Sequence, residues 1–209
     1  MIVDLGVVGL VIYATSLHEM AHAYVATWMG DPTPGRNGRL TANPIPHLTP
    51  VLTAVVLPLV GYLTSGGMIC MAYTPIDPSK FRKPLRDHAL VAVAGPIANL
   101  LFMGLLLGIL WLPGVWQRGE TTYLMVIAYK AAFFNLMLAC FNLLPIPPLD
   151  GYWIIRGALP LQLRMQTDSL ARNPMIGLVL VFVLGSIILG AMIPDLQRIF
   201  EHLTPVYRW

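Results

Sequence analysis

Four apolar segments, 5–29, 88–113, 121–144 and 174–193, interrupt the polar parts of the chain. Each is long enough to cross a hydrocarbon core of about 30 Å as a helix. A fifth run, 51–66, begins after Pro50 and stops at Gly66-Gly67. It falls just under the usual spanning length of about 20 residues, and reads as a short span or a re-entrant hairpin.

Charge decides between these two readings. Segment 30–86 carries Arg36, Arg39, Lys80, Arg82, Lys83 and Arg86, and segment 150–173 carries Arg156, Arg164 and Arg172. With 51–66 re-entrant, both segments share one side and collect nine of the thirteen basic residues. The positive-inside rule then predicts four full spans, an outer N-terminus and cytoplasmic loops at 30–50, 67–86 and 150–173. Composition agrees. Of the 209 residues 56% are hydrophobic and 11% charged, against about 25% charged in soluble domains; mean hydropathy is +0.69. This excludes a soluble enzyme, a disordered chain and a nucleic-acid binder, which needs a basic stripe. The expected fold is an all-α polytopic membrane protein. It has about four to six transmembrane helices, a re-entrant segment and a short membrane-associated β element at 67–76, where Pro75 suits an edge strand. Residues 1–209 read as one domain, with a core at 5–158 and a C-terminal helix at 174–193. No cleavable leader stands out, and the expected location is a multi-pass position in a cell membrane.

Lesser features take bland readings. Cys70 and Cys140 are too few for a disulfide scaffold and read as structural. Gly104 and Gly108 form a GxxxG that predicts a helix-packing face. Lys130, inside an apolar run, is either a buried functional cation or a side chain snorkelling to the interface.

The chemistry concentrates in His18-Glu19-Met20-Ala21-His22. Positions i and i+4 share a helix face, so both imidazoles can reach one metal ion, with Glu19 beside them as a base. Three ionisable side chains within five residues of an apolar helix are costly and need a reason. A catalytic zinc takes three protein ligands and keeps one open position. The best third ligand is Asp150, in Asn142-Leu-Leu-Pro-Ile-Pro-Pro-Leu-Asp150-Gly151. Pro145, Pro147 and Pro148 end the helix, and irregular backbone at membrane depth is tolerated where it lines a wet cavity. Gly151 is expected to permit a turn. The competing reading makes Asp150 the cap of a helix at 151–158. Glu120, Asp87 and Asp77 sit in or beside polar loops, and Asp4 and Asp31 lie too far along the first helix to share an ion with His18 and His22.

HEMAH at 18–22, GPIAN at 95–99 and FNLLPIPPLDG at 141–151, with GRLTANPIPH at 38–47, give the chain its resemblance. It resembles the site-2 protease family of intramembrane zinc metalloproteases, in its short prokaryotic branch without PDZ or CBS domains. The resemblance implies zinc held by His18, His22 and Asp150, and Glu19 as catalytic base. It also implies a catalytic role for Asn142, and substrate or transition-state contacts for Asn99 and His47. For Asn99 the alternative is an interhelical hydrogen bond. For His47 it is a loop position. The segment CMAYTPI at 70–76 departs from the family, whose short members often carry a Lys-Pro strand there.

The implied activity is hydrolysis of peptide bonds in transmembrane or membrane-associated proteins. A substrate helix must unwind to expose its scissile carbonyl, and its freed backbone groups need partners. The strand at 67–76 can supply them by β-augmentation. The partners are thus the bilayer and a membrane-protein substrate. The alternative is a zinc-binding membrane protein without protease activity, such as a transporter or chaperone. A transporter needs ionisable residues along a path across the bilayer, and here they cluster in one place.

Overall fold

The computed structural model describes residues 2–48, 73–112, 122–180, 183–184 and 186–203. Three helices are long and apolar enough to cross a membrane: α1 (Ile2–Met29, apolar from Val3), α3 (Pro84–Leu110) and α4 (Tyr123–Asn142). They match the first three expected spans to within four residues at either end. Helix α3 packs against both α1 and α4, which also touch each other. The short elements are α2 (Thr33–Arg36), α5 (Asp150–Ile155), α6 (Leu161–Arg172) and α7 (Pro174–Leu180), followed by α8 (Ser186–Leu203).

Helix α1 keeps its polar residues quiet in an apolar setting. The hydroxyls of Thr15, Ser16 and Thr27 donate to the carbonyls of Val11, Ile12 and Ala23, four residues back. The helix stops at Gly30, whose φ of 116° suits a residue without a Cβ. Asp31 N then donates to Ala26 O, which closes the end. Outward residues such as Trp28, Leu101 and Leu124 are large, apolar and exposed, as lipid-facing positions require. Toward the far end of the bundle, Leu106, Leu107 and Leu110 of α3 and Met125, Ala128, Ala131 and Ala132 of α4 form a buried cluster. Phe200 of α8 completes it, its ring set edge-on to Tyr129 and Phe133.

The packing face on α4 is made of alanines. Ala128, Ala131, Ala132 and Ala139 are buried around Asn135, and small side chains let helices approach closely. The expected GxxxG face is otherwise: among the described residues nothing lies within 4 Å of a Cβ placed on Gly104 or Gly108. The fourth expected span, 174–193, is divided between α7 and α8, with residues 181, 182 and 185 outside the described set.

The run 51–66 and residues 67–72 of the expected strand also lie outside the described residues. Residues 73–77 are non-helical and form no strand ladder with other described residues. They run beside α1 and are tied once to it and once to the turn that follows it. Thr74, buried, donates its hydroxyl to the Glu19 carbonyl at 3.1 Å. Asp77 N donates to the fully buried Asp31 carboxylate at 2.7 Å, while Lys80 donates to Thr33 Oγ1 and pairs with Asp77. The bonds from Ser79 and Lys80 hold the Asp77 carboxyl below its ordinary pKa. The end of α1 and the approach to α3 therefore lie at the same end of the bundle.

Candidate metal centre

His18, Glu19 and His22 lie well inside α1, and all three are less than 10% exposed. His18 stands eleven residues before Met29, or roughly 16 Å along the helix at about 1.5 Å per residue. Asp150 reaches them from another part of the chain. Helix α4 ends at Asn142, and Pro145, Pro147 and Pro148 prevent its continuation. The chain folds back in short turns, Ile146 N donating to Leu144 O and Leu149 N to Ile146 O, and α5 starts at Asp150 itself.

Asp150 is not a helix cap. Leu149 holds the cap position, with no side-chain cap bond, and the Asp150 carboxylate turns to the imidazoles instead. Gly151 is required by close approach rather than by a turn conformation. It lies inside α5 with negative φ, and a Cβ there would sit 2.2 Å from the Leu143 carbonyl oxygen. Just beyond, Arg156 makes a two-pronged ion pair with Asp168 of α6, both contacts at 2.6 Å, and the Tyr152 hydroxyl donates to the same carboxylate. These bonds fasten α5 against α6 and hold the Asp150 end in place.

The hydrogen bonds fix which nitrogens face the centre. His22 Nδ1 lies 2.7 Å from the Val91 carbonyl oxygen, which can only accept, so Nδ1 carries the proton. His18 Nδ1 donates to Asn99 Oδ1 at 2.6 Å. A neutral imidazole has one N–H, so each Nε2 presents a lone pair. These two atoms are 3.0 Å apart. Asp150 Oδ2 lies 3.3 Å from one and 3.4 Å from the other. It is buried, with no hydrogen-bond partner among the described residues. One proton can bridge a single pair of these atoms and leaves the third facing a lone pair. A divalent cation satisfies all three. Ligand atoms about 2.0–2.1 Å from a tetrahedral centre stand roughly 3.3 Å apart, so the spacing fits zinc.

Helix α3 leaves room for this cluster at one point. A Cβ on Gly95 would lie 2.5 Å from His18 Cε1, His18 Nε2 and His22 Nε2. Any side chain there would occupy the space of the imidazoles.

The other candidates fall into two groups. Asn99 joins the cluster, with both ends of its amide engaged: Oδ1 accepts from His18 and Nδ2 donates to Asn135 Oδ1 at 3.1 Å. Asn142 sits in the last turn of α4, its amide donating to the Leu138 carbonyl at 3.0 Å. His47 is fully buried in a 3-10 turn against α1, its Nε2–H donating to the Thr41 carbonyl at 3.0 Å. Neither belongs to the three-residue cluster. Among the carboxylates set aside in the sequence, Asp31, Asp77 and Asp87 serve loops and helix ends, and Glu120 lies outside the described residues. Asn135 was missed by sequence reasoning. Its signal was an amide in the middle of an apolar helix, with alanines three and four residues before it and four after.

Comparison with known proteins places this arrangement. The family described as "Peptidase family M50" matches residues 115–186, the stretch that holds Asn135, Asn142 and Asp150. The "Putative zinc metalloprotease YwhC" of Bacillus subtilis is 35% identical over 192 residues, covering 87% of this chain and 83% of that protein. The "Putative zinc metalloprotease Rip2" of Mycolicibacterium smegmatis is 32% identical over 192 residues, covering 90% of this chain and 66% of that protein. Rip2 of Mycobacterium tuberculosis is 33% identical over 169 residues, covering 80% of this chain and 61% of that protein. The chain thus spans less than two thirds of the mycobacterial relatives' length. No solved structure matches it. With a relative of this identity covered over most of its length, and the HEMAH and LDG motifs folded onto one another, the chain belongs to peptidase family M50, the site-2 protease family.

Proposed function

We propose that this protein is an intramembrane zinc metalloendopeptidase in which His18, His22 and Asp150 hold the metal and Glu19 is the catalytic base. The carrying observation is the convergence of the two Nε2 atoms and a buried carboxylate oxygen that has no hydrogen-bond partner among the described residues. Zinc, when bound, supplies Lewis acidity for the scissile carbonyl and for the attacking water. The residues of the chain supply the rest. Asn99 and the Val91 carbonyl hold the two imidazoles in orientation. Glu19 is buried one residue from His18, placed to take a proton from the attacking water and return it to the leaving nitrogen. Asn142 enters from the resemblance. Its amide first has to leave the Leu138 carbonyl before it can donate to a developing oxyanion.

The substrate is an extended segment of a membrane or membrane-associated protein. Residues 73–77 support this reading, because they run past Glu19 without a ladder partner among the described residues and are pinned by Thr74 and Asp31. Their free edge can receive an unwound substrate backbone. The re-entrant reading of 51–66 is supported by its flanks, since Asp31 and Asp77 bond at one end of the bundle. On that reading the basic end faces the cytoplasm, the protein is multi-pass, and water reaches the centre from that side.

The test uses the whole protein in detergent. Zinc content and cleavage of single-span substrates are compared between the wild type and Glu19→Gln. About one zinc per chain in both, with cleavage only by the wild type, is expected. Zinc in both with cleavage by neither would favour a metal-binding membrane protein without protease activity.

A further inference from the structure

We infer that Asn135 is a positioning residue for the metal centre, fixing through Asn99 which ring nitrogen of His18 faces the site. The inference rests on the reading of His18 as a ligand. It starts from a backbone carbonyl on α4. Asn135 Nδ2 lies 2.8 Å from the Ala131 oxygen. That oxygen can only accept, so Asn135 must turn its NH2 group toward it and leave Oδ1 facing α3. Asn99 then has to answer with its own NH2, at 3.1 Å, which leaves Asn99 Oδ1 facing His18. His18 has to answer with Nδ1–H, at 2.6 Å. The proton is thereby excluded from Nε2, the atom that points at His22 and Asp150.

Each link is forced by the one before it. Flipping either amide would set acceptor against acceptor and donor against donor. No water competes, because Asn99 is 1% exposed and Asn135 is 0% exposed. The alanine face of α4 is what lets the two amides meet, since Ala131, Ala132 and Ala139 allow α4 to close on α3. Histidine ligands commonly donate their second N–H to a group that sets the tautomer. Here that group is a neutral amide, and its orientation is set by a second amide on another helix. His22 needs no such relay, because the Val91 carbonyl fixes it directly.

The experiment uses the full chain in micelles with 15N-labelled histidine. The His18 tautomer is read from ring-nitrogen shifts in the metal-free protein, its signal assigned by loss in His18→Asn. Zinc affinity is read separately by chelator competition. Two variants with the same side-chain branching and heavy-atom count are compared. Asn135→Leu removes the relay and leaves the Asn99 amide free to flip. Asn135→Asp keeps an oxygen that accepts from Asn99 Nδ2. The expected result is Nδ1–H in the wild type and in Asn135→Asp, and mixed tautomers in Asn135→Leu. Zinc affinity should fall about 10–100-fold in Asn135→Leu, the usual scale for such partners, and less in Asn135→Asp.

A packing role for Asn135 predicts the reverse order, since a leucine suits an apolar core and a buried carboxylate does not. Asn135→Leu with a pure Nδ1–H form and wild-type affinity, or Asn135→Asp weaker than Asn135→Leu, would overturn the inference. Should Asn135→Leu not fold, Asn135→Ser, too short to reach Asn99, gives the same reading. A wild type that shows the Nδ1–H form and takes up no zinc refutes the ligand assignment and supports the relay.

Discussion

Gly95→Ala adds one methyl group at the point where α3 faces the two histidines. By helix propensity alone the change should stabilise, since alanine is favoured over glycine inside a helix by about 0.5–1 kcal/mol. The structure reverses that sign at the metal centre. The new Cβ would lie 2.5 Å from three ring atoms, about 1 Å inside the ordinary carbon contact of roughly 3.5 Å. The rings cannot yield without cost, because His18 Nδ1 is held by Asn99 and His22 Nδ1 by Val91. Either α3 retreats, or an imidazole rotates and its Nε2 leaves the cluster. Overpacking of this kind costs about 1–3 kcal/mol, and each 1.4 kcal/mol directed at the metal-bound form is about tenfold in affinity. Zinc affinity measured by chelator competition should therefore fall about 5- to 140-fold. Gly104→Ala is the control. It lies on the same helix, with no described residue within 4 Å of its Cβ position, and it should bind zinc as the wild type does. Gly95→Ala with undiminished affinity would refute the close approach of α3 to the imidazoles.

His18→Ala, His22→Ala and Asp150→Ala should each lose zinc or hold it weakly, while Glu19→Gln keeps zinc and loses turnover; full activity in Asp150→Ala would remove it from the ligand set. Thr74→Val keeps shape but deletes the bond to the Glu19 carbonyl, worth about 1 kcal/mol. Cleavage should drop several-fold at unchanged zinc content, and equal loss of both would point to general unfolding instead. Cysteines placed at Ser79 and Thr167 should escape labelling by a membrane-impermeant reagent applied from outside. Strong labelling at Ser79 would mean that 51–66 spans.

The packing of the bundle shows where sequence reasoning stopped. A GxxxG pattern reads as a contact face because it lowers the side-chain profile of a helix, yet Gly104 and Gly108 face open space among the described residues. The same property is spread over Ala128, Ala131, Ala132 and Ala139. Alanine is common in apolar helices, so its pattern carries little signal until a partner helix is in view. The two amides on these helices had the same fate. Asn99 was noticed only through the resemblance, and Asn135 not at all, because a hydrogen bond between α3 and α4 joins positions 36 residues apart.

What the sequence determined by itself is local or set by the solvent. Run length against bilayer thickness determined the three long helices. The i, i+4 spacing put His18 and His22 on one face, and the expense of Glu19 beside them in an apolar helix marked the site. Three prolines before Asp150 ended the helix ahead of that carboxylate. The tertiary structure decided everything that depends on two segments meeting. It made Asp150 a partner of the imidazoles rather than a cap, and it required glycine at 95 and 151 by close approach. It also set the tautomers of His18 and His22 through Asn99, Asn135 and Val91. The reason is that a backbone pattern specifies an element from neighbours a few residues away. The position of a proton on a buried ring is fixed by whichever carbonyl another helix brings within hydrogen-bond distance.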